Sequence, residues 1–315
     1  MPMGLLRPVF SRFVALVPVV LGVTILVFAL NAVALGDPAR VAMGQRADAA
    51  ALERLRREYA LDRSLPVQYA AWLGRLARGD LGESFREQRP VGEVIVERLP
   101  ATARLALAAT LISIVLGVGI GAVAAVRAGS ALDHLLMGVA VLGISTPVFW
   151  LGLMLQLVVA VRLGWLPVSG YGDGTLTHLI LPAFALGALH TGTVARMTRS
   201  SLLEVVRQDF MATARAKGLS EWAVLGKHAL RNAAVPVVTV VGIGLADLLV
   251  GAPLTETVFA WPGVGRLLVA AVGQRDVPVV MGAVLVFALV YVLGNLLVDL
   301  AYLVIDPRIR DAARA

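Results

Sequence analysis

Cysteine is absent from the 315-residue chain, which excludes disulfides and thiolate metal sites. Charge is scarce: Asp, Glu, Lys and Arg make up 16% of the residues, and lysine occurs only at Lys217 and Lys227. The four histidines are scattered, and no HExxH, GxSxG or metal-ligand spacing occurs, so an intramembrane hydrolase is not indicated. A GxxxxGK[ST] phosphate loop is missing too: Gly218 follows Lys217 and His228 follows Lys227. Any ATP used by this protein is therefore bound elsewhere. No low-complexity tract or short-period repeat is found.

What remains is apolar. Hydrophobic residues account for 58% of the chain and the mean hydropathy is +0.82. A soluble domain cannot hide that much apolar surface, so the class is an all-α, polytopic membrane protein. The net charge of +7 fits the sorting of basic residues to the cytoplasmic side and needs no nucleic acid.

Six runs are candidate spans: Phe13–Leu30, Leu105–Val126, Leu135–Val161, Leu179–Ala195, Ala233–Leu254 and Val277–Val298. Each is long enough, or nearly so, for a hydrocarbon core of ~30 Å at 1.5 Å per residue. Ala32-Val-Ala34 resembles a signal cleavage site, but the apolar run before it is too long for a signal, so an uncleaved helix is expected. Gly117, Gly119 and Gly121 form a GxxxG surface for close helix packing, and Pro147 is expected to kink the third span. Short loops place both termini in the cytoplasm. Residues 31–98 then lie outside as a compact helical cap, nearly neutral with 11 arginines and 10 acids. Helices are expected at Ala47–Tyr59, at Leu65–Ala77 (ending at Gly79) and from Pro90 onward.

Between the fourth and fifth spans lies a soluble island, DFMATARAKGLSEWAVLGKHALRNAAVP, from Asp209 to Pro236. Alanine-rich Phe210–Lys217 favours helix and Gly218 can close it in the left-handed conformation. Ser220 would cap a second helix carrying Trp222, Leu225 and Leu230. Two short helices at a membrane surface make a rigid knob that another protein can grip.

Ionisable residues inside spans are costly and are functional candidates by default. His190, Asp247 and Asp299 are such residues, as a polar pathway or as bonds between helices; Arg104 and Asp299 lie near span ends, where snorkelling accounts for them. The last outer loop, Pro253–Pro278, contains Glu256, Trp261, Pro262, Gly263 and Gly265, a pattern expected for a tight re-entrant turn, with a plain loop as the alternative.

Several strings in order carry a resemblance. TARAKGL at Thr213–Leu219, HALRNAAVPVVT at His228–Thr239, ETVFAWPGVGRLL at Glu256–Leu268 and DPRIR at Asp306–Arg310 are four of them. Others are GDP at Gly36–Pro38, LPVQYAAWL at Leu65–Leu73, GDLGESF at Gly79–Phe85, RLPAT at Arg98–Thr102, MTRSSLLEV at Met197–Val205 and LGWLPVSGYG at Leu163–Gly172. Over nearly its whole length the chain resembles the B-type membrane subunit of dipeptide/oligopeptide/nickel ABC importers. One departure concerns the EAA-x3-G pattern of importer permeases: Ala212, Thr213 and Ala214 stand where Glu-Ala-Ala would be, and Pro236 lies further from the glycine.

The resemblance implies a type I ABC importer permease fold with six transmembrane helices and a small helical extracytoplasmic insertion. Its parts would be residues 1–30 (first helix), 31–98 (insertion), 99–305 (core, with a cytoplasmic coupling loop at 196–234) and 306–315 (cytoplasmic tail). Ala212, Thr213, Ala214, Arg215, Ala216, Lys217, Gly218 and Leu219 would be the ATPase-coupling segment. Glu256, Trp261, Pro262 and Gly263 would lie in an outer loop near the binding protein. The implied partners are a C-type permease in a heterodimer, two ABC ATPases, an extracytoplasmic substrate-binding protein and membrane lipid, with no nucleic acid. No cofactor, metal or catalytic residue is expected on this chain, ATP and Mg belonging to the ATPases. The implied location is the bacterial inner membrane. Two rivals differ in kind: an ion-coupled secondary transporter using Asp247, Asp299 and His190 as a proton relay, and an assembly subunit without a pathway.

Overall fold

The computed structural model describes residues 14, 17–29, 63–218 and 229–305. The helix expected at Ala47–Tyr59, the second helix of the island from Ser220, and the GDP and DPRIR strings lie outside those residues. Among the described residues every regular element is helical, apart from an isolated bridge between Glu83 and Pro90. In chain order the helices are α1 (Val17–Ala29), α2 (Leu65–Leu76), α3 (Val91–Val126), α4 (Ala131–Ser145) and α5 (Val148–Leu155, continued as a π-helix over Gln156–Arg162). Then come α6 (Leu176–Val206), α7 (Asp209–Ala216), α8 (Leu230–Val258), α9 (Val264–Gln274) and α10 (Val277–Ile305).

Four helices, α3, α6, α8 and α10, are long and apolar enough to cross a membrane, or five spans if the bent pair α4–α5 counts as one. The first apolar run is described as the shorter helix Val17–Ala29, so the count of six is not reached among the described residues. The break between α4 and α5 is far sharper than a kink, at 107°. Pro147 causes it by forcing the residue before it out of the helical region: Thr146 is extended, with φ −85° and ψ 125°. Pro100 has a milder effect. The helix expected after Pro90 and the second span are one 36-residue helix running straight through it.

Two compact units divide the chain, Met1–Thr102 with Pro262–Val292, and Ala103–Trp261 with Leu293–Ala315. In the first, Trp72 of α2 packs with Val27 of α1 and with Val277 and Met281 of α10. Phe28 stands edge-on to Tyr69 at 5.4 Å, and the Tyr69 hydroxyl pairs with Thr24 Oγ1 at 2.8 Å. Val91 and Ile95 of α3 meet Val264 and Ala271 of α9 and Val279 and Ala283 of α10. The i, i+4 spacing of Val91 and Ile95 places both on one helix face.

A polar network ties two distant stretches of this first unit. Asp276, 3% exposed, accepts hydrogen bonds from Ser84 Oγ (2.6 Å), the Phe85 N–H (3.2 Å) and the Arg86 N–H (3.3 Å). Ser84 Oγ accepts in turn from the Glu87 N–H at 2.9 Å. The buried carboxylate thus holds the turn at residues 84–87 onto the start of α10. Asp276→Ala strands three donors, so a loss of about 1–3 kcal/mol is expected. A lower Tm of the detergent-solubilised protein relative to Asp276→Asn, which keeps one acceptor, is the check.

In the second unit α6 is the central helix and the most buried of the spans. Small residues let its neighbours approach. A Cβ at Gly117 of α3 would lie 2.7 Å from the Val194 side chain, and one at Gly121 would lie 2.4 Å from the Ala195 carbonyl oxygen. The GxxxG contact of α3 is therefore with α6, and Gly119 takes no part, having nothing within 4 Å of its Cβ position.

Candidate functional site

The island begins directly below α6. After the last residue of α6 come Arg207 and Gln208, then α7. Its helix runs from Asp209 to Ala216, close to the span expected from its alanine content, and Gly218 follows with φ +77°. That left-handed glycine ends the helix because a side chain there would meet steric strain. Asp209 accepts from Thr213 Oγ1 through its carbonyl at 3.1 Å. One residue anchors the knob: Met211 is fully buried, packed among Leu202 and Val205 of α6 and Ala229 and Ala233 at the start of α8. Ala212, Thr213, Ala216, Lys217 and Gly218 are exposed. Leu219 lies outside the described residues. The result is a short helix pinned on its inner side, presenting small residues and a lysine outward.

Just above the knob an ion pair ties α6 to α4. Ser130 caps α4, its hydroxyl accepting from the Asp133 N–H (3.3 Å), while Asp133 Oδ2 accepts from the N–H of Gly129, the residue before the cap (2.9 Å). Arg199 of α6 then grips the same carboxylate with two bonds, Nε to Oδ1 at 2.6 Å and Nη2 to Oδ2 at 2.7 Å. Asp133 is 2% exposed. Arg199→Ala leaves a buried carboxylate without its cation, whereas Asp133→Asn with Arg199→Ala removes the charge as well. The single variant is expected to have the lower Tm of the two, which a thermal melt in detergent checks. Sequence reasoning passed over this pair, although Arg199 stands in the MTRSS string.

Two of the three intramembrane candidates lie on packed neighbouring helices, α6 and α8. His190 of α6 is 8% exposed, and the position of a Cβ at Gly244 of α8 would lie 2.5 Å from its Nδ1. Asp247, about one turn further along α8, is exposed. Asp299 lies on α10, with its side chain outside the described set.

The outer-loop candidates turn inward. Glu256 and Trp261 are both 0% exposed, so neither offers a contact surface in this chain. The Trp261 N–H donates to the Glu256 carbonyl at 2.8 Å, and its indole meets Tyr171 edge-on at 4.8 Å. Ala260, at φ +52°, makes the tight turn between them. Gly263 is buried and Pro262 half-buried, and from Val264 the chain becomes helix α9 in place of an irregular re-entrant segment. Among the described residues no cluster of His, Cys, Asp or Glu able to hold a metal is found.

Comparison with known proteins bears on this arrangement. Residues 117–311 match the family described as binding-protein-dependent transport system inner membrane component, and residues 5–106 match the N-terminal region of such membrane components. The chain belongs to this family. A dipeptide transport system permease of Alkalihalophilus pseudofirmus is 42% identical over 95% of this chain and 98% of its own length. A glutathione transport system permease of Pectobacterium atrosepticum is 44% identical over 95% of this chain and 97% of its own. The fold resembles that in inward-facing structures of the MetNI methionine ABC transporter, with a TM-score of 0.53 at 20% identity, covering 70% of this chain and 96% of the other. The resemblance to ABC importer permeases and the type I fold both stand. The permease is a multi-pass membrane protein whose relatives are named as permease proteins of transport systems.

Proposed function

We propose that this permease forms, with a C-type permease, the pathway of an ATP-driven importer for dipeptides, oligopeptides or similar small solutes. ATP and Mg act on two separate ABC ATPases, and an extracytoplasmic binding protein delivers the solute. This chain holds no cofactor and performs no chemistry. Both termini lie in the cytoplasm, residues 31–98 lie outside, and His190, Asp247 and Asp299 contribute polar groups to or beside the pathway.

The observation that carries the proposal is the knob itself: a short helix pinned by buried Met211, closed by left-handed Gly218 and exposed along Ala212, Thr213, Ala216 and Lys217. In the proposed mechanism Ala212–Leu219 sits in a groove of an ATPase. Closure of the ATPases then moves α7, and the Met211 cluster passes the motion to the ends of α6 and α8. A rigid-body change between inward- and outward-facing states follows.

Uptake of a radiolabelled dipeptide into membrane vesicles separates this from the secondary-transporter alternative. ATP-dependent uptake that needs the ATPase subunits and survives a proton uncoupler is expected. Uptake by this chain alone, collapsing with the uncoupler and with Asp247→Asn, would reverse the assignment.

A further inference from the structure

The ion pair between Arg199 and Asp133 stands beside the knob within the second unit, and the proposed coupling gives it no part. Met211 of α7 packs on Leu202 and Val205 of α6. Arg199 lies three residues before Leu202, less than one turn away on the same helix. Its guanidinium reaches across to α4, with Nε on Oδ1 at 2.6 Å and Nη2 on Oδ2 at 2.7 Å. The knob and α4 therefore grip the same short stretch of α6.

The chemistry of the pair suits a joint. A two-bond fork fixes orientation as well as distance, which a single bond or an apolar contact does not. Asp133 also accepts from the Gly129 N–H at the start of its own helix, so displacing the carboxylate displaces α4. Further along, the two helices meet through small residues. A Cβ at Gly192 would lie 2.2 Å from the Ala140 carbonyl oxygen, and one at Gly143 would lie 3.2 Å from the Ala188 carbonyl oxygen. Those contacts bring the helices together; among the described residues the fork is the hydrogen-bonded tie between them. Beyond the Pro147 elbow, a Cβ at Gly152 of α5 would lie 3.1 Å from the Phe259 ring, just past the end of α8. A shift of α4 is thus delivered to the end of α8 opposite the one that the Met211 cluster touches.

We propose that Arg199 and Asp133 are positioning residues of the transport cycle, their bidentate pair carrying movement of the knob into α4 and, through the elbow, to the far end of α8. The inference rests on the coupling role given to α7 under Proposed function, and it names the residues that pass the movement on. Packed side chains and ion pairs are the physical means by which such coupling travels.

The test uses the full importer complex in proteoliposomes and reads two quantities, the number of radiolabelled dipeptide molecules taken up per ATP hydrolysed and the Tm of the complex. Asp133→Asn with Arg199→Met removes both charges while keeping the length of each side chain, an exchange that buried pairs tolerate in stability. Its Tm should stay close to that of the wild type, while uptake per ATP falls about tenfold. Arg199→Lys keeps the cation and loses the fork, so its ratio should fall between. A double variant with the wild-type ratio would overturn the proposal and leave the importer assignment intact. A double variant that loses Tm and assembled complex, with the ratio per ATP unchanged in what remains, would overturn it in favour of a purely structural pair. If the double variant does not assemble at all, Arg199→Lys decides, and a wild-type ratio in it would overturn the proposal. A wild-type complex without ATP-dependent uptake would overturn the coupling role of α7 together with this inference.

Discussion

Deleting Arg215–Gly218 is expected to lower peptide uptake on the order of a hundredfold while the chain still reaches the membrane in normal amount. The reason is local. α7 is held to the rest of the molecule through Met211, near its start, and that anchor is untouched by the deletion. What is lost is the exposed end of the helix, with Lys217 and the glycine that terminates it. A coupling free energy of a few kcal/mol between ATPase and permease corresponds to factors of about 5–150, so removing the contact removes that factor. Gly218→Val is the finer version. At φ +77° a β-branched side chain costs about 1–3 kcal/mol, which the short helix relieves by unwinding its last turn. Uptake should fall and basal ATP hydrolysis should persist. Uptake measured against the amount of membrane-inserted chain tests both variants; normal uptake in the deletion would remove the knob from the mechanism.

The second large effect concerns packing. Gly192→Leu is expected to prevent the second unit from assembling, with a stability loss of about 3 kcal/mol or more. A Cβ at this position would lie 2.2 Å from the Ala140 carbonyl oxygen and 2.7 Å from Ile144 Cγ1. The nearest obstacle is backbone of α4, which cannot swing aside as a side chain can, so α4 and α6 must separate. Gly119→Leu is the matched control, on a helix of the same unit with nothing within 4 Å of its Cβ position. It should lie within about 0.5 kcal/mol of wild type. Thermal melts of the two purified variants, with monodispersity by size exclusion, decide the matter; equal behaviour would mean that the α4–α6 approach is not this close.

The sequence exposes some features of this fold plainly and hides others for physical reasons. Long uncharged runs and the GxxxG pair are legible because burial in lipid demands apolar composition and close packing demands small residues. Gly218 is legible because the left-handed conformation selects glycine. The break at Pro147 is visible, but its 107° size is not, since proline restricts Thr146 without fixing the direction of the chain beyond it. Asp133–Arg199 and Ser84–Asp276 are invisible in one dimension because the partners stand 66 and 192 residues apart, and each residue alone reads as an ordinary surface charge or hydroxyl. Glu256 and Trp261 are a further case. Both side chains are buried, with Trp261 packed on Tyr171, and a loop position in the sequence does not disclose that burial.

The central claim is that this permease couples passage of a solute to ATP hydrolysed on a partner. ATPase activity of the complete complex in liposomes, with and without the binding protein and a mixed peptide pool, tests it most directly. The account predicts low basal hydrolysis, stimulation that requires both the binding protein and peptide, and loss of that stimulation when Lys217 and Gly218 are altered. Hydrolysis indifferent to binding protein and peptide, and unchanged by those alterations, would contradict it.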